Sequence, residues 1–154
     1  MAQAGQVAPR FTLPDGEFRP FPLKAYLGRP VLVAFFPAAF SPPCTREMTA
    51  LQARLPTFEA ANVQLVGISV DGPYALRAFA RQYGITFPLV SDFHRETIKA
   101  YGVEDENFLG LQGTARRAIF LVDPGGMIRY RWVALKPEWE PDYDELLRLV
   151  QNLT

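Results

Sequence analysis

The chain has 154 residues, of which 49% are hydrophobic and 21% charged, a composition that excludes a disordered or fibrous protein. Sixteen Lys and Arg balance sixteen Asp and Glu, which argues against a nucleic-acid partner or an anionic membrane surface. No apolar run approaches the roughly 18 residues of a membrane span, and a single cysteine cannot close an internal disulfide.

The N-terminus lacks the basic start and apolar run of a signal peptide, so a cytoplasmic protein with one domain over 1–154 is expected. The proline-spaced opening, "VAPRFTLPDGEFRPFPLKAYLGRP", predicts short edge strands joined by a turn at Asp15-Gly16. "VLVAFF" (31–36) is apolar throughout, as a strand buried on both faces must be. Pro42 and Pro43 suit a helix start, where no backbone N–H is needed, and Met48, Leu51 and Leu55 carry helical spacing through "CTREMTALQARLPTFEAA". Pro56 breaks that run, predicting a kink or two shorter helices. "VQLVGISV" (63–70) is a second buried strand, followed by the helix "YALRAFARQYG", the strand "FPLVSD" and the helical "RETIKAYG". Residues 104–115 read as a loop, "AIFLVDPGGMIRYRWVA" as a hairpin about Pro124-Gly125-Gly126, and "PDYDELLRLVQNL" as a closing amphipathic helix. Strands alternating with helices, closed by a hairpin, predict an α/β fold: a mixed central sheet flanked by helices, with an N-terminal β extension.

Cys44 falls just after an apolar strand, in the first turn of a helix. Most lone cysteines are inert packing residues. Helix N-termini, however, carry unsatisfied N–H groups and a positive partial charge, so they favour a thiolate and predict a lowered thiol pKa here. That effect has a ceiling. An ordinary thiol of pKa about 8.5 is roughly 7% ionised at pH about 7.4, so complete ionisation gains only about fourteenfold. Fixed donors that polarise a substrate are worth more, about 10²- to 10³-fold each. Ser41, three residues before Cys44, is one candidate donor; its commonest alternative role is a helix N-cap.

The stretch Pro37-x-x-x-Ser41-x-x-Cys44 resembles the peroxiredoxin signature of proline, three residues, threonine or serine, two residues and cysteine. "APRFTLPDGEF", "FPLVSD", "YGV" and an arginine ahead of "AIFLVDPGG" extend the resemblance over nearly the whole chain. It is most similar to the alkyl hydroperoxide reductase E and bacterioferritin comigratory protein branches. Two-cysteine members of the latter place a resolving cysteine five residues after the first, where this chain has Thr49.

The resemblance implies a thioredoxin-like fold and a one-cysteine, thiol-dependent peroxidase. Cys44 is then the nucleophile that becomes a sulfenic acid, Pro37 shields its sulfur, and Ser41 binds the peroxide. The Cys44 backbone N–H helps hold the substrate, and an arginine stabilises the thiolate. The family register puts that arginine six residues before the aspartate ending its strand, which is Arg117, and leaves Arg116 as a strand-end charge. Strand alternation by itself does not choose, because both faces of "AIFLV" are apolar. Glu47 matches an acidic family position and is either a partner orienting the arginine or a solvated first-turn acid.

No cofactor is implied. One cysteine and one histidine without ligand spacing make no metal site, and His94 is expected at the surface. The implied partners are a peroxide and an external thiol reductant: thioredoxin, a glutaredoxin-like protein or a low-molecular-weight thiol. The oligomeric state is expected to be monomer or homodimer, with Phe40 a candidate interface residue. Dithiol exchange through "SPPC" fails because Ser41 replaces the attacking sulfur. A peroxide sensor or adaptor that signals through Cys44 oxidation without turnover needs the same residues and stays open.

Overall fold

A computed structural model describes residues 2–136 and 138–153. Its centre is a five-stranded sheet built from β3 (Val31–Phe35), β4 (Gln64–Ser69), β5 (Leu89–Ser91), β8 (Ala118–Val122) and β9 (Ile128–Val133). The order is β5-β4-β3-β8-β9. β3 runs parallel to β4 and antiparallel to β8, so the sheet is mixed, as expected. Every residue of β3 and β8 is buried, because each strand is flanked by strands on both edges and covered on both faces.

Alternation along these strands separates two cores. Leu32, Ala34, Phe36, Ile119 and Leu121 face a layer formed by α2 (Pro42–Ala53), α3 (Leu55–Ala60), α4 (Pro73–Tyr83) and α6 (Tyr143–Gln151). Val31, Val33, Phe35, Phe120 and Val122 face α5 (Glu96–Ala100) and the N-terminal segment. Tyr101 anchors this second core: its ring lies 5.2 Å from Phe35 and 5.1 Å from Phe120, centroid to centroid. Its hydroxyl donates to the Pro9 carbonyl at 2.7 Å, which satisfies the one polar atom the ring carries inward.

The break at Pro56 is resolved as two helices, α2 and α3, that meet at Arg54. Two readings need correction. The opening forms the expected ribbon of β1 (Thr12–Pro14) and β2 (Pro20–Pro22), but Leu23–Tyr26 is a short helix, α1, and not a strand. Leu23 is fully buried there, so tertiary packing fixes a turn too short for helical periodicity to mark. Within the supposed loop 104–115, β6 (Glu104–Asp105) pairs with β7 (Thr114–Ala115), and two residues per strand are too few for an alternation signal.

Gly67 shows how tightly β4 packs beside β5. A Cβ at this position of β4 would stand 2.6 Å from Leu89 Cδ2, 3.3 Å from Phe36 Cε1 and 3.4 Å from Met48 Sδ. The tight contact is with the tip of Leu89 on the neighbouring strand, and Met48 of α2 would meet such a Cβ only at ordinary contact distance. The glycine therefore relieves crowding between β4 and β5.

Candidate active site

Pro42 and Pro43 occupy the first two positions of α2, with Ser41 as the preceding cap residue. Neither proline has an N–H, so the first amide hydrogen inside the helix is that of Cys44. The Ser41 N–H bonds Ala38 O at 3.3 Å, and the first i to i−4 bond runs from Thr45 N–H to Ser41 O at 2.9 Å. Cys44 N–H is therefore the first-turn donor that the helix leaves unused, adjacent to its own sulfur. Ser41 caps by backbone geometry alone. Its side chain makes no capping bond; its buried Oγ interacts with the Cys44 thiol without completing a hydrogen bond among the described residues.

The loop ahead of the helix is held in shape by a residue the sequence reading did not single out. Asp71 Oδ2 accepts from Ala39 N–H at 2.8 Å and from Ser69 Oγ at 2.7 Å, tying residues 37–41 to the end of β4. Phe40 adopts a left-handed backbone, φ 71°, a strained state for a bulky side chain. Its ring packs 5.2 Å from Phe79 and 6.3 Å from Tyr83. In sequence nothing local links Asp71 to a loop 32 residues earlier.

Arg117 is 5% exposed and immediately precedes β8, in the alternation register of the face that carries Ile119 and Leu121. That is the face α2 covers, and Cys44 belongs to the same core. Arg117 donates to the Trp139 carbonyl. Arg116 is exposed. Pro37, Cys44 and Arg117 share a small cleft of about 90 Å³, with Phe108, Arg116 and Leu135 among its walls. The structure thus brings Pro37, Cys44 and Arg117 together, and Ser41 acts on the Cys44 sulfur from one turn earlier. A larger groove of about 230 Å³ lies between the β1–β2 ribbon and α4. Cys44 is not in its walls, and its Arg19, Arg77 and Arg81 are paired with Asp15 or Glu17.

Glu47 is fully buried, which rules out the solvated first-turn acid. Both carboxyl oxygens lie inside without a hydrogen-bond partner among the described residues. Burial pushes this acid up to about 8; Arg117 pulls it down and Glu140 adds to the rise. Such a group makes stability depend on pH. Its folded-state pKa exceeds the unfolded value of about 4.3, so its contribution is fully present below that value and is lost as pH rises through about 8. Glu47→Gln, neutral at every pH, is expected to melt above the native chain at pH 8, with the gap closing toward pH 4. Thermal melts at the two pH values test this, and a gap independent of pH contradicts it.

Cys44 itself corrects an expectation. Helix placement predicted a lowered thiol, but only 1% of the residue is exposed and burial pushes the thiol up. Ser41, the Ala38 backbone and Arg117 pull it down, while Glu47 adds to the rise. Desolvation of the charged form outweighs the three groups that favour it. The thiolate-supporting groups are in place, yet the closed site opposes ionisation. His94 is exposed, as expected. Among the described residues no three His, Cys, Asp or Glu side chains gather as a metal site requires.

The AhpC/TSA family model matches residues 4–131. Alkyl hydroperoxide reductase E of Mycobacterium bovis is 41% identical over 133 residues, covering 84% of each chain. Chloroplastic peroxiredoxin Q of Sedum lineare is 34% identical over 97% of this chain and 78% of its own length. Among solved structures, peroxidoxin BcpB of Mycobacterium tuberculosis superposes with a TM-score of 0.88 at 26% identity, covering 100% of this chain and 99% of that one. The bacterioferritin comigratory protein of Xanthomonas campestris gives 0.83 at 26% identity, covering 97% and 98%.

Proposed function

Because this chain belongs to the AhpC/TSA family, whose relatives here are peroxiredoxins, we propose that it is a one-cysteine, thiol-dependent peroxidase working through a Cys44 sulfenic acid. The observation that carries this reading is the convergence on one sulfur of the Cys44 N–H, the Ser41 hydroxyl and the Arg117 guanidinium, at the base of a cleft.

The peroxide enters with its terminal oxygen against Cys44 Sγ. Arg117 and Ser41 favour the thiolate, and the same two groups with the Cys44 N–H polarise the peroxide. The S–O bond forms as the O–O bond breaks. Sulfur is oxidised by two electrons, the peroxide is reduced by two, and the departing oxygen takes a proton and leaves as water or alcohol. Pro37, buried beside the sulfur, limits water access. An external thiol then attacks the sulfenic sulfur, releasing water and forming a mixed disulfide. A second thiol attacks that disulfide and returns Cys44 to its reduced form. An external donor is required because the chain holds no other cysteine.

One equivalent of hydrogen peroxide is expected to add a single oxygen to Cys44, trapped by dimedone and read by intact mass. Excess peroxide without reductant drives the sulfur on to sulfinic acid. With purified thioredoxin, a glutaredoxin or a small thiol supplied in turn, peroxide is consumed over many turnovers. Oxidation that stops at one equivalent with every donor makes the chain a stoichiometric sensor, and oxidation that persists in Cys44→Ser removes the reading altogether.

A further inference from the structure

The family match ends at residue 131, yet the segment beyond it builds part of the Cys44 cleft. Ala134, Leu135 and Lys136 line the cleft, and the Trp139 carbonyl accepts from Arg117. The next residue, Glu140, reaches the helix that bears the sulfur. Its Oε1 lies 3.4 Å from Nε of Arg46, which stands on α2 just beyond Cys44.

These contacts close a ring. A peptide unit is planar, so the Trp139 carbonyl and the Cα of Glu140 belong to one rigid group. Whatever holds Glu140 therefore holds the oxygen that receives Arg117. Three restraints act on this group. The Trp139 N–H donates to the Lys136 carbonyl at 3.1 Å, and Pro141 disfavours helical backbone at Glu140. Both shape the segment without reference to α2. The Arg46 pair is the restraint that ties it to that helix. Cys44 and Arg117 come from distant parts of the chain, and the path from Cys44 through Arg46, Glu140 and Trp139 to Arg117 sets them in register.

We propose that Glu140 is a positioning residue for peroxide reduction, its ion pair with Arg46 fixing the Trp139–Glu140 peptide plane so that Arg117 stays aimed at Cys44. The proposal rests on the peroxidase reading. The Arg46 and Glu140 side chains are 56% and 39% exposed, and a pair so open to water adds little to stability. Its loss therefore shows in the rate and not in the melt.

The experiment compares Glu140→Ala, Arg46→Ala and the double variant in the full chain. Sulfenic acid formation with hydrogen peroxide is followed by stopped flow at a pH where the thiol of each variant is fully ionised. Thermal melts are run beside it. Each single variant is expected to slow the step about fivefold, the ceiling that an exposed pair sets. The double variant is expected to be no slower than either single one. In the Arg117→Ala background, Glu140→Ala changes nothing further. Salt gives a reading on the native chain itself. Raising the ionic strength screens the pair, so the native chain slows toward the Glu140→Ala rate while that variant stays level. Hydrogen peroxide is uncharged, so its encounter with the site is not screened.

A through-space effect of charge predicts something else: losing an anion and losing a cation shift the rate in opposite directions. That result overturns the proposal, as do single effects that multiply in the double variant. Rates that fall only in step with melting temperature make the pair structural and overturn it too. If Glu140→Ala fails to fold, Arg46→Ala and the salt series on the native chain decide. A native chain that forms no sulfenic acid removes the peroxidase reading and the proposal together. One that forms it, with Glu140→Ala at the native rate, removes the proposal alone.

Discussion

Arg117→Ala is expected to slow the oxidation of Cys44 by peroxide about 10²-fold or more, the scale of removing one preorganised donor. The residue is 5% exposed, shares the cleft with Cys44, and favours the thiolate. Its loss acts twice. The thiol rises further, because the cation that offsets its burial is gone, and the reacting oxygens lose a fixed positive group. Arg117→Lys is expected to restore little, since an ammonium lacks the planar fork that spans sulfur and peroxide together. Arg116→Ala is the control: its side chain is exposed at the cleft wall, and its anchoring bond, N–H to Val103 O at 2.7 Å, belongs to the backbone and survives the change. Stopped-flow oxidation and alkylation against pH decide the pair. A slow Arg116→Ala beside a near-normal Arg117→Ala sinks the assignment.

Asp71→Ala is expected to be costly in two currencies, stability and rate. The carboxylate accepts from the Ala39 N–H and from the Ser69 hydroxyl, and Ser69 is fully buried. Hydrogen bonds to a charged group contribute about 1.5–3 kcal/mol. The Ser69 hydroxyl would lose its acceptor while still accepting from the Asp71 N–H, so a loss of about 2–3 kcal/mol is expected in denaturant unfolding. The second effect is geometric. Residues 37–41 carry Pro37, the strained Phe40 and Ser41, and without the Asp71 tether Phe40 relaxes out of its left-handed state. A shift of about 1 Å in a positioning group costs up to 10²-fold, so sulfenic acid formation is expected to slow at least tenfold. Asp71→Asn, which keeps an acceptor oxygen, should fall between the two. Wild-type oxidation kinetics in Asp71→Ala would show that the tether is structural only.

The order of elements was legible because each buried strand is an apolar run and each long helix carries its own spacing. Val31–Phe35, Gln64–Ser69 and Ala118–Val122 are strands where the composition placed them. Pro37, Ser41 and Cys44 were legible for a related reason: all three sit on one loop and helix start, so their spacing along the chain is their geometry. What escaped detection comes from far along the chain. Asp71 reaches back 32 residues to Ala39, and the Trp139 carbonyl lies 22 residues beyond Arg117. Neither partnership leaves a periodic trace.

Three matters were decided only by the folded chain. Both faces of β8 are apolar, so alternation could not say which one α2 covers; packing puts Ile119 and Leu121 under that helix, and Arg117 with them. Glu47 read equally well as solvated or inward, and its place under the closing segment makes it a fully buried acid. A helix start and a cation by themselves predict a lowered Cys44 thiol, yet burial pushes it the other way. Sequence determines which groups are near one another along the chain, and so it marked the long strands and helices and the nucleophile's loop, while the short α1, β6 and β7 were left to tertiary packing. Desolvation depends on everything that surrounds a group from distant segments, and only the tertiary structure sets that.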